Sequence, residues 1–256
     1  MKKAIFITVR KDSSRLPNKA VMEINGSKVL ELVIMRAKLA TKFDDVIVCT
    51  TTRQIDDEIE ELALKNGAKV FRGSLNDKLE RWNGAAKKYN VDYIVTFDGD
   101  DLFCDPELLD MGAEQIKNRG LDFIESPKGF ICGAFTYAFT AKALAAVCQI
   151  KDSDDTEMMW TYFKDSGRFK CGTLENCDKV FFNDKYRLTL DYPEDFEFFS
   201  KVFEHFGVKG NTVPLRKIVE YFKENPEIPE INFFRQAEFL DNQKRKTKLV
   251  LKEQDK

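Results

Sequence analysis

The sequence predicts an α/β fold in which a mostly parallel central sheet carries a small antiparallel excursion. Short β-rich apolar runs alternate along the chain with segments whose apolar residues recur at helical spacing. The early runs are followed directly by polar loops, as expected where parallel strands end before crossover helices. The chain has 256 residues, of which 43% are hydrophobic, so it can bury one sizeable core.

The elements follow in chain order. The patterns predict parallel strands over residues 4–9, 46–51, 70–72 and 93–97, and helices over residues 29–39, 56–65 and 77–89. Gly67 marks the end of the second of these helices. In the less regular second half we expect strands over residues 135–139 and 187–190, and helices over residues 141–148, 193–203 and 215–224.

One domain is expected over residues 1–225, followed by a helical C-terminal tail over residues 226–256. The tail contains a basic run at residues 244–248, which we interpret as a solvated terminal helix.

Composition excludes several classes of protein. Lys and Arg number 41 against 43 Asp and Glu, a balance that argues against general nucleic-acid binding. No segment approaches the roughly 20 apolar residues of a membrane-spanning helix, and the apolar run at the start is too short for a signal peptide. The six cysteines show no C-x-x-C pairing, which indicates reduced thiols. We therefore expect a cytoplasmic protein with neither nucleic-acid nor membrane partners.

A basic loop follows the first predicted strand. It reads R-K-D-S-S-R-L-P-N-K over residues 10–19, with cations at Arg10, Lys11, Arg15 and Lys19 and hydroxyls at Ser13 and Ser14. Clustered cations and loop amides are a common way to hold a triphosphate. An ordinary solvated loop is the alternative. Ligands of open α/β sheets bind beyond the carboxyl ends of the strands, and this position favours phosphate binding.

Two acidic motifs also follow predicted strands. D-G-D-D over residues 98–101 presents carboxylates to a hard divalent cation, although acidic turns are common. Asp191 in T-L-D-Y-P-E-D stands just before a helix that begins at Pro193, where it could instead cap that helix. A metal ion shared by Asp100 and Asp191 would also contact phosphate oxygens, since Mg²⁺ takes few protein ligands and several substrate oxygens.

Together these stretches resemble one family. The ordered motifs are V-R-K-D-S-S-R-L-P-N-K, V-C-T-T-T-R-Q-I-D-D, F-R-G-S-L-N-D-K-L-E-R-W, F-D-G-D-D-L-F-C-D-P and R-L-T-L-D-Y-P-E-D. They are similar to those of bacterial cytidylyltransferases that activate acidic sugars, including CMP-ketodeoxyoctonate synthetases, and most similar to relatives in spore-coat polysaccharide synthesis. The resemblance spans roughly residues 4–200.

The resemblance implies a Rossmann-like nucleotidyltransferase fold, Mg²⁺-dependent transfer of CMP from CTP to an acidic sugar with release of pyrophosphate, and a homodimer. It assigns catalytic roles to Arg10, Lys19 and Asp100. It assigns nucleotide binding to Arg10, Ser13, Ser14, Arg15, Lys19, Thr51, Asp57, Arg72, Ser74, Asp77 and Asp98. It assigns the metal to Asp100 and Asp191.

The sequence departs from the family pattern at positions that bear on the acceptor and the loop. Asn18 replaces a usual glycine, but asparagine tolerates the same left-handed backbone. Met158 stands where close relatives often carry histidine, in a segment expected on the acceptor side. Three alternatives stay open: a phosphonate cytidylyltransferase, a nucleotide-sugar glycosyltransferase with a D-x-D metal site, and a non-catalytic nucleotide-binding protein.

Overall fold

The computed structural model describes residues 1–13, 15–207 and 211–253. Its strands are β1 (Lys3–Thr8), β2 (Glu23–Ile24), β3 (Ser27–Lys28), β4 (Asp45–Thr51), β5 (Lys69–Gly73), β6 (Tyr93–Asp98), β7 (Phe123–Glu125), β8 (Tyr137–Thr140) and β9 (Cys171–Thr173). β2 and β3 form a separate two-stranded hairpin, and the other strands form the main sheet. The order across the main sheet is β5-β4-β1-β6-β8-β7-β9.

Most neighbouring strands of this sheet run parallel. β1 lies at the centre, where Phe6 pairs with Ile47 of β4 and with Thr96 of β6. β8 runs antiparallel to both of its neighbours, β6 and β7. The predicted α/β fold, with a mostly parallel sheet and a small antiparallel excursion, is therefore confirmed.

Helices cover both faces of the sheet. They are α1 (Val29–Ala37), α2 (Asp57–Lys65), α3 (Lys78–Tyr89), α4 (Pro106–Asn118), α5 (Ala141–Ile150), α6 (Trp160–Lys164), α7 (Pro193–Phe206), α8 (Leu215–Glu224), α9 (Glu227–Phe233) and α10 (Gln236–Lys246). Successive side chains of β1 point to opposite faces, so that Ile5 joins the core under α1, α4 and α7, and Phe6 joins the core under α3 and α5. Burial on both faces explains the continuous apolar run of β1.

The structure differs from the sequence prediction at residues 187–190, which do not form a strand. Their backbone contacts lead to loops instead, because Leu188 N donates to Cys132 O at 2.8 Å and Leu190 N donates to Asp100 O at 2.8 Å. The pairing with Cys132 is an isolated bridge at Arg187. These contacts have a functional consequence, since they place the following residue, Asp191, beside Asp100.

Several elements are absent from the sequence prediction. β7 and β9 are only three residues long, which is too short for a periodic pattern to emerge. α4 did carry a signal, since Asp105 caps its N-terminus by accepting from the amides of Glu107 and Leu108, and Pro106 occupies its first turn. No helix of the described ranges 1–13, 15–207 and 211–253 is long and apolar enough to cross a membrane.

Candidate active site

A cavity of about 880 Å³ lies beyond the carboxyl ends of β1 and β6. The last residues of these two strands, Thr8 and Asp98, are register partners, so the loops that follow them begin side by side. The basic loop and the acidic turn therefore form one wall of the cavity. The predicted site residues that line it are Arg10, Ser13, Arg15, Lys19, Asp98, Asp100 and Asp191.

Lys19 joins the basic loop to both acidic motifs. Its ammonium donates to Asp100 Oδ2 at 2.5 Å and to Asp191 Oδ1 at 2.9 Å. A third bond, of 2.8 Å, leads to the carbonyl oxygen of Leu190. The side chain of Lys19 is 13% exposed and that of Asp191 is 1% exposed. Residues that are distant in sequence thus converge on one buried cationic position.

Asp191 is surrounded by cations. Besides Lys19, it accepts from Arg15 Nη2 at 2.5 Å and from Arg187 Nη2 at 3.2 Å. Burial acts to raise the pKa of Asp191, but the charges of Lys19 and Arg15 outweigh it and hold the pKa below its usual value. Asp191 is therefore a charged carboxylate that can face a further cation, including a phosphate-bound metal.

The pKa values of Lys19 and of Asp100 are also shifted. Burial acts to lower the pKa of Lys19, but the charges of Asp100 and Asp191 outweigh it and raise the pKa. The pKa of Asp100 is raised, first by burial and then by repulsion from Asp191 and Asp98, while Lys19 opposes the shift. An additional cation at Asp100 would relieve this repulsion.

Helix capping by Asp191 is not what the structure shows. Asp195 performs that role, since its Oδ2 accepts from the amides of Asp191 and Tyr192 at 2.8 and 2.9 Å. Asp195 also pairs with the buried Arg187, with Nε to Oδ1 at 3.0 Å. The side chain of Asp191 therefore does not cap the helix, and it accepts hydrogen bonds from Lys19, Arg15 and Arg187 instead.

The second polar segment, after β4, supports the basic loop from outside the cavity. Asp56 is fully buried and accepts from the backbone amide of Lys11 at 2.7 Å and from the hydroxyl of Thr51. Arg53 pairs with Asp12 of the loop. Asn18 adopts the left-handed backbone that asparagine tolerates, with φ of 60°, and Lys19 follows it directly. The protein's own contacts with Lys11 and Asp12 thus hold the loop in its conformation without a bound ligand.

The predicted residues Thr51, Asp57, Arg72, Ser74 and Asp77 do not line the cavity. Arg72 pairs with Asp57 at 2.7 Å and donates to the carbonyl oxygen of Thr51 at 2.8 Å. Asp77 is buried as the N-cap of α3 and pairs with Lys151 at 2.5 Å. Ser74 Oγ accepts from the amide of Asp77 at 3.1 Å. Ser14 lies outside the described residues.

Three cations that the sequence analysis did not select lie at or behind the site. Lys78 pairs with Asp98 at 3.2 Å and lies over the ring of Trp82. Arg81 lines the cavity, is 5% exposed, and has an Nε without a hydrogen-bond partner in the described part of the chain. Both belong to the first turn of α3. This helix follows β5, and ligands of such sheets bind beyond the carboxyl ends of the strands, so the position of the two residues in the chain could have indicated the site. Arg187 begins the motif R-L-T-L-D-Y-P-E-D and pairs with Asp191 and Asp195 of the same motif.

Gly99 in the acidic turn is required by the sheet itself. Its amide donates to the carbonyl oxygen of Thr8 at 2.9 Å. A Cβ at this position would lie 2.8 Å from Cβ of Val9 and 2.9 Å from the same Thr8 oxygen. A side chain would therefore push the two loops of the cavity wall apart.

A second part of the lining, the far wall, contains aromatic and C-terminal residues. Tyr137 and Trp160 stack with ring centroids 6.2 Å apart, and both line the cavity with the predicted acceptor-side residue Met158. Residues of α10 and Lys248 complete this wall. The lining thus combines the cations and carboxylates of the strand-end loops with the aromatic and basic residues of the far wall.

The carboxylates fit a magnesium ion that also binds substrate oxygens. Within the described residues, no group of three or more His, Cys, Asp or Glu side chains is arranged to hold a metal ion. Mg²⁺ is commonly bound by one or two carboxylates together with phosphates and water. Asp100 and Asp191 meet that requirement, because both already approach the single cationic nitrogen of Lys19.

Several known proteins are similar to this chain in sequence. The sequence matches the cytidylyltransferase family over residues 4–205. The spore coat polysaccharide biosynthesis protein SpsF of Bacillus subtilis is 25% identical over 229 residues, covering 87% of this chain and 94% of that protein. The 3-deoxy-manno-octulosonate cytidylyltransferase of Chloroherpeton thalassium is 27% identical over 110 residues, covering 43% of this chain and 44% of that protein.

A solved structure extends the similarity to three dimensions. A cytidylyltransferase of Leptospira borgpetersenii matches with a TM-score of 0.80 and 30% sequence identity, covering 90% of this chain and 97% of that chain. The predicted nucleotidyltransferase fold is therefore confirmed. With the family match extending over most of the chain, this protein belongs to the cytidylyltransferase family.

Proposed function

We propose that this protein transfers CMP from CTP to an acidic sugar, releases pyrophosphate, and uses Mg²⁺ as its cofactor. The observation that carries the proposal is the convergence of Lys19 with Asp100 and Asp191 at the cavity that the basic loop lines. Such a site supplies both cations for a triphosphate and carboxylates for the metal that accompanies it.

The acidic-sugar acceptor is supported by relatives and by the far wall. The relative from Chloroherpeton thalassium is named for a cytidylyltransferase of 3-deoxy-manno-octulosonate, which is an acidic sugar. SpsF is named for polysaccharide biosynthesis. The far wall offers the stacked rings of Tyr137 and Trp160 for the apolar face of a sugar and cations for its acidic group.

The proposed reaction is a displacement at phosphorus. An acceptor hydroxyl oxygen forms a bond to the α-phosphorus of CTP and loses its proton to the solvent. The bond from the α-phosphorus to the oxygen that bridges to the β-phosphorus breaks, and pyrophosphate leaves with the electron pair of that bond. Little covalent chemistry falls to the protein in such a transfer, so positioning and charge neutralisation carry the catalysis.

The residues of the site divide these tasks. Arg10, Arg15 and Lys19 would bind the phosphates and Ser13 would add a hydroxyl donor, since all four line the cavity. Asp100 and Asp191 would hold Mg²⁺, which when bound supplies charge neutralisation at the phosphate oxygens. Lys19 would then exchange its carboxylate partners for a phosphate. Asp98 would hold Lys78 at the cavity, where the two side chains pair at 3.2 Å.

The proposal is tested by pyrophosphate release. The protein is incubated with Mg²⁺, each nucleoside triphosphate in turn, and a panel of acidic sugars, phosphonates and neutral sugars. We expect release with CTP and an acidic sugar, and none with neutral sugars. Release with phosphonates alone would show that the acceptor is a phosphonate and not an acidic sugar. Absence of release with CTP and every acceptor would contradict the proposed function. The homodimer and the cytoplasmic location stay predictions, for which light scattering and cell fractionation are the tests.

A further inference from the structure

The C-terminal basic segment lines the cavity. Gln236, Phe239, Gln243 and Lys246 are three or four residues apart and share one face of α10. All four line the cavity, as does Lys248 just beyond the helix. The interpretation of residues 244–248 as a solvated end is therefore incomplete, because three of their cations, Arg245, Lys246 and Lys248, border the site. Arg245 pairs with Asp241 of its own helix at 3.1 Å, which leaves Lys246 and Lys248 as the candidates for a ligand.

This segment is held in place at both ends. At its start, Gln236 accepts from Arg187 Nη1 at 3.1 Å, and the ring of Phe239 lies 4.5 Å from the guanidinium carbon of Arg187. At its end, Asp152 N donates to Val250 O at 2.9 Å and Lys252 N donates to Ile150 O at 3.0 Å. Its basic residues lie between these two anchors, so they keep a defined position at the cavity.

The cations of this segment are available to a ligand. Lys246 pairs with Glu157 at 3.2 Å, but the two side chains are 40% and 45% exposed. An exposed ion pair contributes little, so an incoming anion can take the place of Glu157 at small cost. Lys248 has no ion-pair partner among the residues that the structure describes. By contrast, Lys19 and Arg15 both pair with the buried Asp191, and the proposed function assigns them to the phosphates of CTP.

Aromatic side chains line the same cavity as these cations. Glu157 is adjacent in sequence to Met158, and Trp160 stacks on Tyr137. A sugar acid presents an apolar ring face together with one oxyanion, and this wall offers an aromatic surface beside cations. The strand side, with the loop cations and the carboxylates, already provides for the phosphates.

We propose that Lys246 and Lys248 bind the oxyanion of the acceptor, whether a carboxylate or a phosphonate, and thereby determine its specificity. The inference rests on the proposed function in that it names the part of the cavity that selects the acceptor. It also predicts that the C-terminal segment, which lies outside the family match over residues 4–205, contributes to substrate choice.

Tryptophan fluorescence provides a direct binding assay. The chain has two tryptophans, of which Trp82 is fully buried and Trp160 lines the cavity. In the presence of CTP without Mg²⁺, titration with 3-deoxy-manno-octulosonate, with 2-aminoethylphosphonate and with mannose separates a carboxylate, a phosphonate and a neutral sugar. We expect a saturable signal from one acid, none from mannose, and no signal in Trp160→Phe.

The double variant Lys246→Met/Lys248→Met tests the assignment. We expect it to weaken binding of the acid by about tenfold or more, because charge-assisted hydrogen bonds are lost. Binding of CTP, measured separately by calorimetry, should stay unchanged. The matched control is Lys244→Met on the same helix, because Lys244 is exposed and does not line the cavity.

The outcomes separate the two proposals. Unchanged acid binding in the double variant, a loss of CTP affinity instead, or no binding of any acid by the wild-type protein would overturn the assignment of Lys246 and Lys248. A fluorescence response that the double variant loses, together with no pyrophosphate release from any acceptor, would uphold the anion site and contradict the proposed function.

Discussion

The Lys19 ammonium lies 2.9 Å from Asp191 although 172 residues separate the two in the chain. Because it also contacts Asp100 at 2.5 Å, Lys19 neutralises two carboxylates that would otherwise repel each other in a largely buried place. One side chain thus supports the fold of the site and, in the proposed function, binds phosphate.

Replacement of Lys19 should therefore affect both stability and activity. We expect Lys19→Met to lower the free energy of unfolding by about 3–5 kcal/mol, since it removes the cation that Asp100 and Asp191 share in a largely buried place. It should also reduce pyrophosphate release roughly 10²–10³-fold. Urea denaturation and the release assay measure the two effects, with Lys42→Met as a surface control, since Lys42 pairs only at about half exposure with Glu114.

Magnesium should partly compensate for this loss. In Lys19→Met, Mg²⁺ can bind to the carboxylates without competition from the ammonium, so it should raise the melting temperature more than it does in the wild-type protein. Thermal denaturation with Mg²⁺ and with EDTA gives the comparison. An equal effect of Mg²⁺ on both proteins would argue against metal binding by Asp100 and Asp191.

The two aspartates of the acidic turn should differ in function. Asp100→Asn removes a proposed metal ligand, and we expect pyrophosphate release to fall by roughly 10²-fold or more. Asp98→Asn weakens the ion pair with the partly exposed Lys78 and should have a much smaller effect. Calorimetry with Mg²⁺ and CTP would show the metal-dependent part of binding lost in Asp100→Asn and kept in Asp98→Asn. A reversed order would exchange their proposed roles.

Asp195 should be essential to the fold around the site. It is fully buried, pairs with Arg187 and accepts from the amides that precede α7. Asp195→Ala leaves the Arg187 guanidinium with fewer partners, and we expect a loss of about 3–5 kcal/mol in the free energy of unfolding. Glu197→Ala on the same helix is the control, since Glu197 is exposed and forms only a surface pair with Lys201, so a change within about 0.5 kcal/mol is expected.

Gly133 and Gly129 form a matched pair for backbone geometry. Both have positive φ, 86° and 79°, but a Cβ at Gly133 would lie 2.5 Å from the carbonyl oxygen of Leu188, while nothing lies within 4 Å of one at Gly129. Gly129→Ala should cost about 1–2 kcal/mol from the left-handed backbone alone. Gly133→Ala should cost about 1–3 kcal/mol more because the contact must open. Equal losses in the free energy of unfolding, measured by urea denaturation, would show that the close approach to Leu188 does not affect stability.

The sequence supported prediction of the strand side of the site. Arg15, Lys19 and Asp100 follow strands whose apolar runs are continuous, and such runs fix where each strand ends. Pattern alone could not place Thr51 and Arg72, because β4 lies on the side of β1 away from β6. These two residues contact each other at that outer edge of the site, where they support the loop from behind.

The far wall could not be predicted in the same way. Arg187 begins the motif R-L-T-L-D-Y-P-E-D, but its contact with Gln236 of α10, which anchors the far wall, appears only in the folded structure. A basic run such as residues 244–248 is ordinarily a solvated face. Its position at the cavity depends on backbone pairing with residues 150–152, and no local pattern encodes that pairing.

The anchoring of α10 on Arg187 also concerns how the protein is made. During synthesis on the ribosome, residues 1–207 would emerge with the strands, the basic loop and both aspartates of the site already present. The part of the far wall that α10 and Lys248 form is absent until residues 236–252 have followed. A nascent chain could thus acquire its affinity for nucleotide before it acquires a place for the acceptor, and bound CTP could assist folding of the strand side during translation.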